Sequence, residues 1–101
     1  MEIRYASKDR FTQIRLSGEL DHHAARDTMI KLDRLLDTCL PLKLELDFSG
    51  VGFMDSSGIA VIMRVCKRMR ELGGSVTVTE VPAQAKRVLY AANMQRLVQI
   101  M

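Results

Sequence analysis

The spacing of the apolar residues changes several times along the chain, and this alternation constrains the fold more than any other feature. In some stretches every second residue is apolar, as in half-buried strands, and in others every third or fourth, as in amphipathic helices. These periodicities predict five strands and three helices in the order β-β-α-β-α-β-α-β. The predicted strands are 2–7, 11–16, 42–48, 75–81 and 97–100, and the predicted helices are 22–39, 57–72 and 82–92.

Residues that start or stop helices support these boundaries. Asp21 is a good N-cap for the first helix, and Pro41 stops that helix. Gly73-Gly74 can supply the left-handed turn that ends the second helix, because a side chain resists that conformation. Pro82 suits the first turn of the third helix, where no backbone N–H is needed, and Asn93 closes that helix.

The element order predicts a mixed α/β fold in one domain, residues 1–101. The first two strands are joined by a tight turn at 8–10 into a hairpin, and the parity slip between Phe11 and Ile14 predicts a bulge. The remaining β-α-β units require right-handed crossovers and parallel pairing. Because the strands alternate rather than being apolar throughout, we expect a four- to five-stranded mixed sheet with helices mainly on one face.

Charge and cysteine content narrow the classes of function. The net charge of +3 comes from basic residues spread along the chain, and the 5% of aromatic residues offer no stacking platform, so we expect no direct nucleic-acid binding. The N-terminus lacks a signal-peptide pattern, and no apolar run is long enough to span a membrane. Cys39 and Cys66 lack CxxC spacing and are predicted to be reduced, mostly buried thiols. We therefore expect a cytoplasmic, monomeric protein.

The run Asp55-Ser56-Ser57-Gly58, between an apolar strand and an apolar helix, is the main functional candidate. An Asp or Ser there can cap the helix by accepting an otherwise unpaired backbone N–H. Capping needs one residue, however, so at least one hydroxyl is left over at the helix N-terminus. That position tolerates negative charge, and a phosphoryl group would add about −1.5 to −2 charges. From the residues, a cap alone and a phosphorylation site both remain open.

Enzymatic alternatives fit the residues poorly. The nucleophile elbow of hydrolases has glycines two residues before and two after the serine, and neither Ser56 nor Ser57 has both. The only histidines, His22 and His23, precede the serines instead of following them. The letters DHHA at 21–24 also occur in the DHH phosphoesterases, but those enzymes gather further aspartates and histidines around two metals. We therefore expect no enzymatic activity, no metal site and no cofactor.

A basic face on the predicted second helix has two interpretations. Arg64, Lys67 and Arg68 share this face, and such faces are usually solvated. Binding of an acidic partner there is the alternative. On the first helix, Asp33 is predicted to lie toward solvent.

Three segments of the chain resemble one known family. They are GELDHHAA at 18–25, LELDFSGVGFMDSSGIAVI at 44–62 and ELGGSVTV at 71–78. In these segments the chain is similar to the STAS domains of anti-sigma factor antagonists and of sulfate transporters, and most of all to the sporulation branch of the antagonists. The resemblance runs from the hairpin to the last strand. DSSG after an apolar strand is fairly specific for the members that are phosphorylated.

The resemblance implies a regulatory binding protein. In that family the unphosphorylated antagonist binds an anti-sigma factor and so releases a sigma factor. The anti-sigma factor is itself a serine kinase with its own ATP, and it phosphorylates the first serine after the aspartate, here Ser56. A phosphoserine phosphatase reverses the reaction. The partner-binding residues carried over from the resemblance are Asp21, Asp55, Ser56, Ser57 and Gly58.

Two questions stay open within this resemblance. Ser57 lies closer to the helix body than Ser56, so its hydroxyl is expected to serve local backbone groups and to be mainly structural. The alternative function is a STAS interaction module of a transport complex or of a stress-signalling assembly. DSSG favours the phosphorylated antagonist, because an unswitched scaffold needs no free hydroxyl at the helix N-terminus.

Overall fold

The computed structural model describes all 101 residues and contains the eight predicted elements in the predicted order. A short 3₁₀ helix, Met94–Arg96, lies before the last strand. The strands are β1 Glu2–Lys8, β2 Phe11–Leu20, β3 Lys43–Met54, β4 Ser75–Thr79 and β5 Gln99–Ile100. The helices are α1 His22–Cys39, α2 Ser56–Glu71 and α3 Ala83–Ala91.

The five strands form one mixed sheet in the order β1-β2-β3-β4-β5. The β1–β2 hairpin is antiparallel, and every other neighbouring pair is parallel. Each parallel pair is connected through one helix, so α1, α2 and α3 are the three crossovers. This confirms the predicted mixed α/β class.

The core lies between one face of the sheet and the three helices. Alternate residues of β2 and β3, such as Ile14 and Leu46, are fully buried, whereas their neighbours on the opposite face are exposed or half-buried. Leu36 of α1, Ile62 of α2 and Leu89 of α3 belong to the same cluster of 21 buried residues. A single cluster that collects one side of the sheet and all three helices confirms that the helices cover one face.

The predicted bulge between Phe11 and Ile14 is wrong. The β1–β2 register runs without a shift from Lys8 opposite Phe11 to Glu2 opposite Ser17. Thr12, and not the exposed Phe11, takes the inward position before Ile14, and its hydroxyl lies 2.8 Å from that of Ser7. Because this hydrogen bond satisfies the buried oxygen, a polar residue is tolerated there.

β2 and β3 both run further than predicted. Their parallel pairing continues to Leu20 opposite Met54, with register shifts between Arg15 and Ser17 and between Gly18 and Glu19. The strands approach closely at the first shift, where a Cβ added to Gly50 would collide with the Ser17 side chain. The small residues after Phe48 therefore continue the strand instead of ending it, and both strands end side by side.

The helix boundaries differ slightly from the prediction. Gly73 has a φ of +75°, which confirms the left-handed turn after α2. Pro82 is the N-cap of α3 and not part of its first turn. β4 ends at Thr79, two residues early, because Glu80 adopts a positive φ of 53°. The last strand shrinks to Gln99–Ile100.

The two cysteines lie in different surroundings, and neither forms a disulfide. Cys66 of α2 is 6% exposed, and burial raises the pKa of its thiol to about 11. Cys39, the last residue of α1, is half-buried. The prediction of a buried thiol therefore holds for Cys66 and only partly for Cys39.

Candidate functional site

Two strand-to-helix junctions lie next to each other at one edge of the sheet. β2 ends at Leu20 and β3 at Met54, and these residues are paired. One aspartate follows each strand, Asp21 in the first case and Asp55 in the second, and a helix begins at the next residue. Two helix N-termini therefore open side by side, and each exposes backbone N–H groups that favour negative charge.

Asp55 connects the two junctions. One carboxylate oxygen, Oδ1, accepts the backbone N–H of Ser57 at 2.8 Å and caps α2. The other, Oδ2, accepts the backbone N–H of His22, the first residue of α1, at 3.2 Å. The Asp55 N–H in turn donates to the Leu20 carbonyl at 3.4 Å. A single side chain thus holds the starts of both helices together.

The hydrogen bonds at Asp55 also set its charge state. Partial desolvation by itself would raise the pKa of the carboxyl. The backbone N–H groups of Ser57, His22 and Gly58, together with the Ser57 side chain, outweigh it and hold the pKa below its ordinary value. Asp55 therefore carries a full negative charge at neutral pH, directly beside Ser56.

Asp21 has a simpler role. Its Oδ1 accepts the backbone N–H of Ala24 at 3.0 Å, which confirms the predicted N-cap of α1. Its side chain makes no hydrogen bond to α2 or β3. The two histidines that follow, His22 and His23, are exposed, with ring centroids 5.9 Å apart.

The two serines occupy different positions. Ser56 is the first residue of α2, is exposed, and its hydroxyl makes no hydrogen bond within the chain. Ser57 is half-buried, and its backbone N–H donates to Asp55 Oδ1. The cap is Asp55, so neither serine is the cap residue, and Ser56 carries the more exposed of the two hydroxyls. Its phosphorylation stays a prediction.

Gly58 fixes the distance between α2 and the strand ends. It is buried, and a Cβ added there would lie 2.9 Å from Met54 Sδ and 3.1 Å from Leu20 Cγ. Met54 and Leu20 are themselves fully buried, so neither has room to withdraw. Only glycine lets the first turn of α2 pack this closely. Any contribution of Gly58 to partner binding is therefore made through the position of the helix.

Gln84, near the start of α3, is part of the site and was missed at the sequence level. Its Oε1 accepts the Met54 N–H at 2.9 Å, and its Nε2 donates to the Met54 carbonyl at 2.8 Å. The two residues are 30 positions apart. A glutamine in the first turn of a short helix is normally solvated, so no signal in the sequence pointed to this contact.

The predicted basic face of α2 is largely neutralised by α1. Asp33 lies 3.2 Å from Arg64 and 3.1 Å from Arg68, and Arg68 also pairs with Asp37. The hydrogen bond to Asp37 is the main cause that raises the pKa of Arg68. The expectation that Asp33 faces solvent is therefore wrong, because it bridges the two helices. Of the three basic residues, Lys67 alone has no ionic partner.

Fold and site together define a mixed α/β domain of the STAS type. The STAS domain family matches residues 2–101, and the chain belongs to this family. No helix is long and apolar enough to cross a membrane.

Individual relatives agree with this assignment. The chain is 31% identical over 87 residues to an anti-sigma F factor antagonist of Paenibacillus polymyxa, a match that covers 86% of this chain and 74% of the relative. Among solved structures, the unphosphorylated anti-sigma factor antagonist SpoIIAA superposes with a TM-score of 0.82 at 21% identity, over 99% of this chain and 88% of that one. Phosphorylated SpoIIAA of Bacillus gives 0.74 at 20% identity, over 99% and 91%. These two structures show the shared fold.

Proposed function

We propose that this chain is a cytoplasmic anti-sigma factor antagonist switched by phosphorylation of Ser56. The observation that carries the proposal is the free, exposed hydroxyl of Ser56 between two helix N-termini. The name of the Paenibacillus polymyxa relative supports the antagonist role, and the greater exposure of Ser56 than of the half-buried Ser57 supports Ser56 as the acceptor. The chain acts by binding and not as an enzyme.

In the unphosphorylated state, the edge formed by Asp21, Asp55, Ser56 and Ser57 binds an anti-sigma factor, and the sigma factor is released. The anti-sigma factor is also the kinase. Ser56 Oγ attacks the γ-phosphorus of ATP bound to the kinase, an O–P bond forms, the bond to ADP breaks, and the hydroxyl proton passes to a base of the kinase. A phosphoserine phosphatase later hydrolyses the Ser56 phosphate and restores the binding form.

The charges at the site explain how a phosphate could end binding without unfolding the chain. The two helix N-termini favour an anion, so the phosphorylated chain stays folded. At a closed interface, however, the phosphate must lose water beside the ionised Asp55. An unpaired buried anion costs several kcal/mol, and about 1.4 kcal/mol weakens binding tenfold.

The proposal is tested by incubating the chain with purified anti-sigma factor kinases and ATP, followed by phosphopeptide mapping. We expect one phosphate, on Ser56. Ser56→Asp should keep the circular dichroism spectrum of the wild type and bind the anti-sigma factor at least about tenfold more weakly. Ser56→Ala should bind normally and resist switching. Wild-type affinity in Ser56→Asp, or a loss of its fold, would contradict this mechanism.

The alternative, an interaction module of a transport or stress-signalling assembly, does not require a free hydroxyl at this position. It would be favoured if no anti-sigma kinase modifies the chain and no anti-sigma factor binds it.

A further inference from the structure

We propose that Gln84 is a positioning residue for the switch, holding Ser56 where a kinase and a binding partner can use it. The inference rests on the proposed function, since it concerns the same serine. Gln84 lies on α3, 30 positions after Met54 in the chain, and its side chain does not belong to the exposed binding edge.

The contact fills a gap that the sheet leaves open. β4 pairs with β3 only from Lys43 to Asp47, so the last residues of β3 have no strand on that side. The N–H and carbonyl of Met54 both point toward this open side, where Gln84 meets them at 2.9 and 2.8 Å. A primary amide carries one acceptor and a donor pair with the spacing of a peptide group. Gln84 therefore replaces the missing neighbouring strand.

The pattern of donors leaves one orientation of the amide. The Met54 N–H requires an acceptor, and its carbonyl requires a donor, so Oε1 must face the nitrogen and Nε2 the oxygen. Both Met54 groups are partly buried, so without Gln84 they would lack partners in a site with limited access to water.

Met54 is directly followed by Asp55, which ties Ser57 and His22 together. A shift of the Met54 backbone would move the Asp55 carboxylate and the first turn of α2 along with it. Phosphoryl transfer needs the attacking oxygen in line with the leaving group, and a misplacement of about 1 Å can reduce a rate up to about a hundredfold. Gln84 thus acts on the reaction through Met54 and Asp55, without touching the phosphate donor.

The test uses the full chain with an anti-sigma factor kinase and ATP, and compares three variants. Gln84→Met keeps the length of the side chain and removes both hydrogen bonds. Gln84→Glu keeps an acceptor for the Met54 N–H, but its ionised carboxylate cannot donate to the Met54 carbonyl. Gln13→Met, on the exposed face of the sheet, is the matched control. All assays are run well below the Tm of each variant, so that every chain is folded.

We expect kcat for phosphorylation of Ser56 to fall about tenfold or more in both Gln84 variants, with a smaller change in KM, and to stay unchanged in the control. Amide hydrogen exchange should become faster at Met54 and Ser57 in the Gln84 variants while the core of α1 stays protected. If the wild type is phosphorylated on Ser56 and Gln84→Met shows the same kcat, the proposed role of Gln84 is wrong, while the proposed function stands. Absence of phosphate from wild-type Ser56 would overturn the proposed function and this inference with it.

Discussion

The chain passes from strand to helix twice in the same way, at Leu20-Asp21-His22 and at Met54-Asp55-Ser56, yet the two junctions are attached to the molecule differently. Asp21 caps only its own helix. Asp55 caps its own helix and also accepts the first N–H of the other, and the residue before it is held by Gln84. The same local sequence pattern can therefore serve only to cap a helix or also to hold a serine in a defined place. The two junctions differ in the number of hydrogen bonds that each makes to other elements.

The largest expected difference between the junctions concerns phosphorylation. Ser56→Ala should abolish phosphate incorporation. Ser57→Ala should retain some, because Ser57 is the less exposed serine and its backbone N–H, which Asp55 accepts, is kept in alanine. His22→Ser in the Ser56→Ala background places a hydroxyl at the equivalent position of the first junction. We expect no phosphate there, since that junction lacks the second serine, the glycine and the Gln84 contact. Mass spectrometry after kinase treatment measures all three, and phosphate on the hydroxyl introduced by His22→Ser would show that the two junctions are interchangeable.

The next effect is on packing and appears only at the second junction. Gly58→Ala should destabilise the fold by about 1 kcal/mol and by at most about 2 kcal/mol. Overpacking against the buried Met54 and Leu20 costs about 1–3 kcal/mol, and the better helix propensity of alanine offsets about 1 kcal/mol of this cost. Gly52→Ala is the control, because no atom lies within 4 Å of the added Cβ. Urea unfolding of both variants measures the difference, and equal midpoints would argue against close packing at Gly58.

Loss of either capping aspartate should lower the stability of the fold, and the loss should be larger at the second junction. The difference between the two variants should be smaller than the effect of Gly58→Ala. Asp21→Ala removes one cap, typically worth about 1 kcal/mol. Asp55→Ala removes a cap and also the contact with α1, so it should lower the Tm further than Asp21→Ala. Thermal unfolding followed by circular dichroism compares the variants. A larger loss in Asp21→Ala would mean that the Asp55–His22 contact contributes little.

The smallest effect is on the pH dependence of stability. The pKa of Asp55 is lower in the folded chain than its ordinary value of 3.8, so the unfolded chain binds the proton more readily. The stability contributed by the ionised carboxylate is present above about pH 4 and is lost as the pH falls through the folded pKa. The wild type should therefore exceed Asp55→Asn in stability at about pH 7 by more than at about pH 3. Asp21→Asn serves as the comparison, and a gap independent of pH in Asp55→Asn would rule out this linkage.

The element order and the helix-covered face could be predicted from the sequence because periodicity records which side of each element is buried. The cap at Asp21 and the turn at Gly73 could also be predicted, because each depends on the chemistry of one residue and not on distant contacts. The continuation of β3 to Met54 was not predicted, since Gly50 and Gly52 are weak strand formers, and the pairing of Gly50, Val51 and Phe53 with β2 keeps this stretch extended. Gln84 was out of reach because its partner is a backbone group 30 residues away.

The unequal burial of the two cysteines makes the chain convenient for spectroscopy. With a pKa of about 11, Cys66 is thiolate in only about one molecule in ten thousand at neutral pH. Maleimides and similar reagents will therefore react with it very slowly. Cys39 is the more accessible thiol, and it lies 17 positions, about 26 Å along α1, from His22, the residue that contacts Asp55. A dye attached at Cys39 would therefore report the binding of a large protein at Ser56, because the complex tumbles more slowly than the free chain. The dye itself would lie far from Ser56.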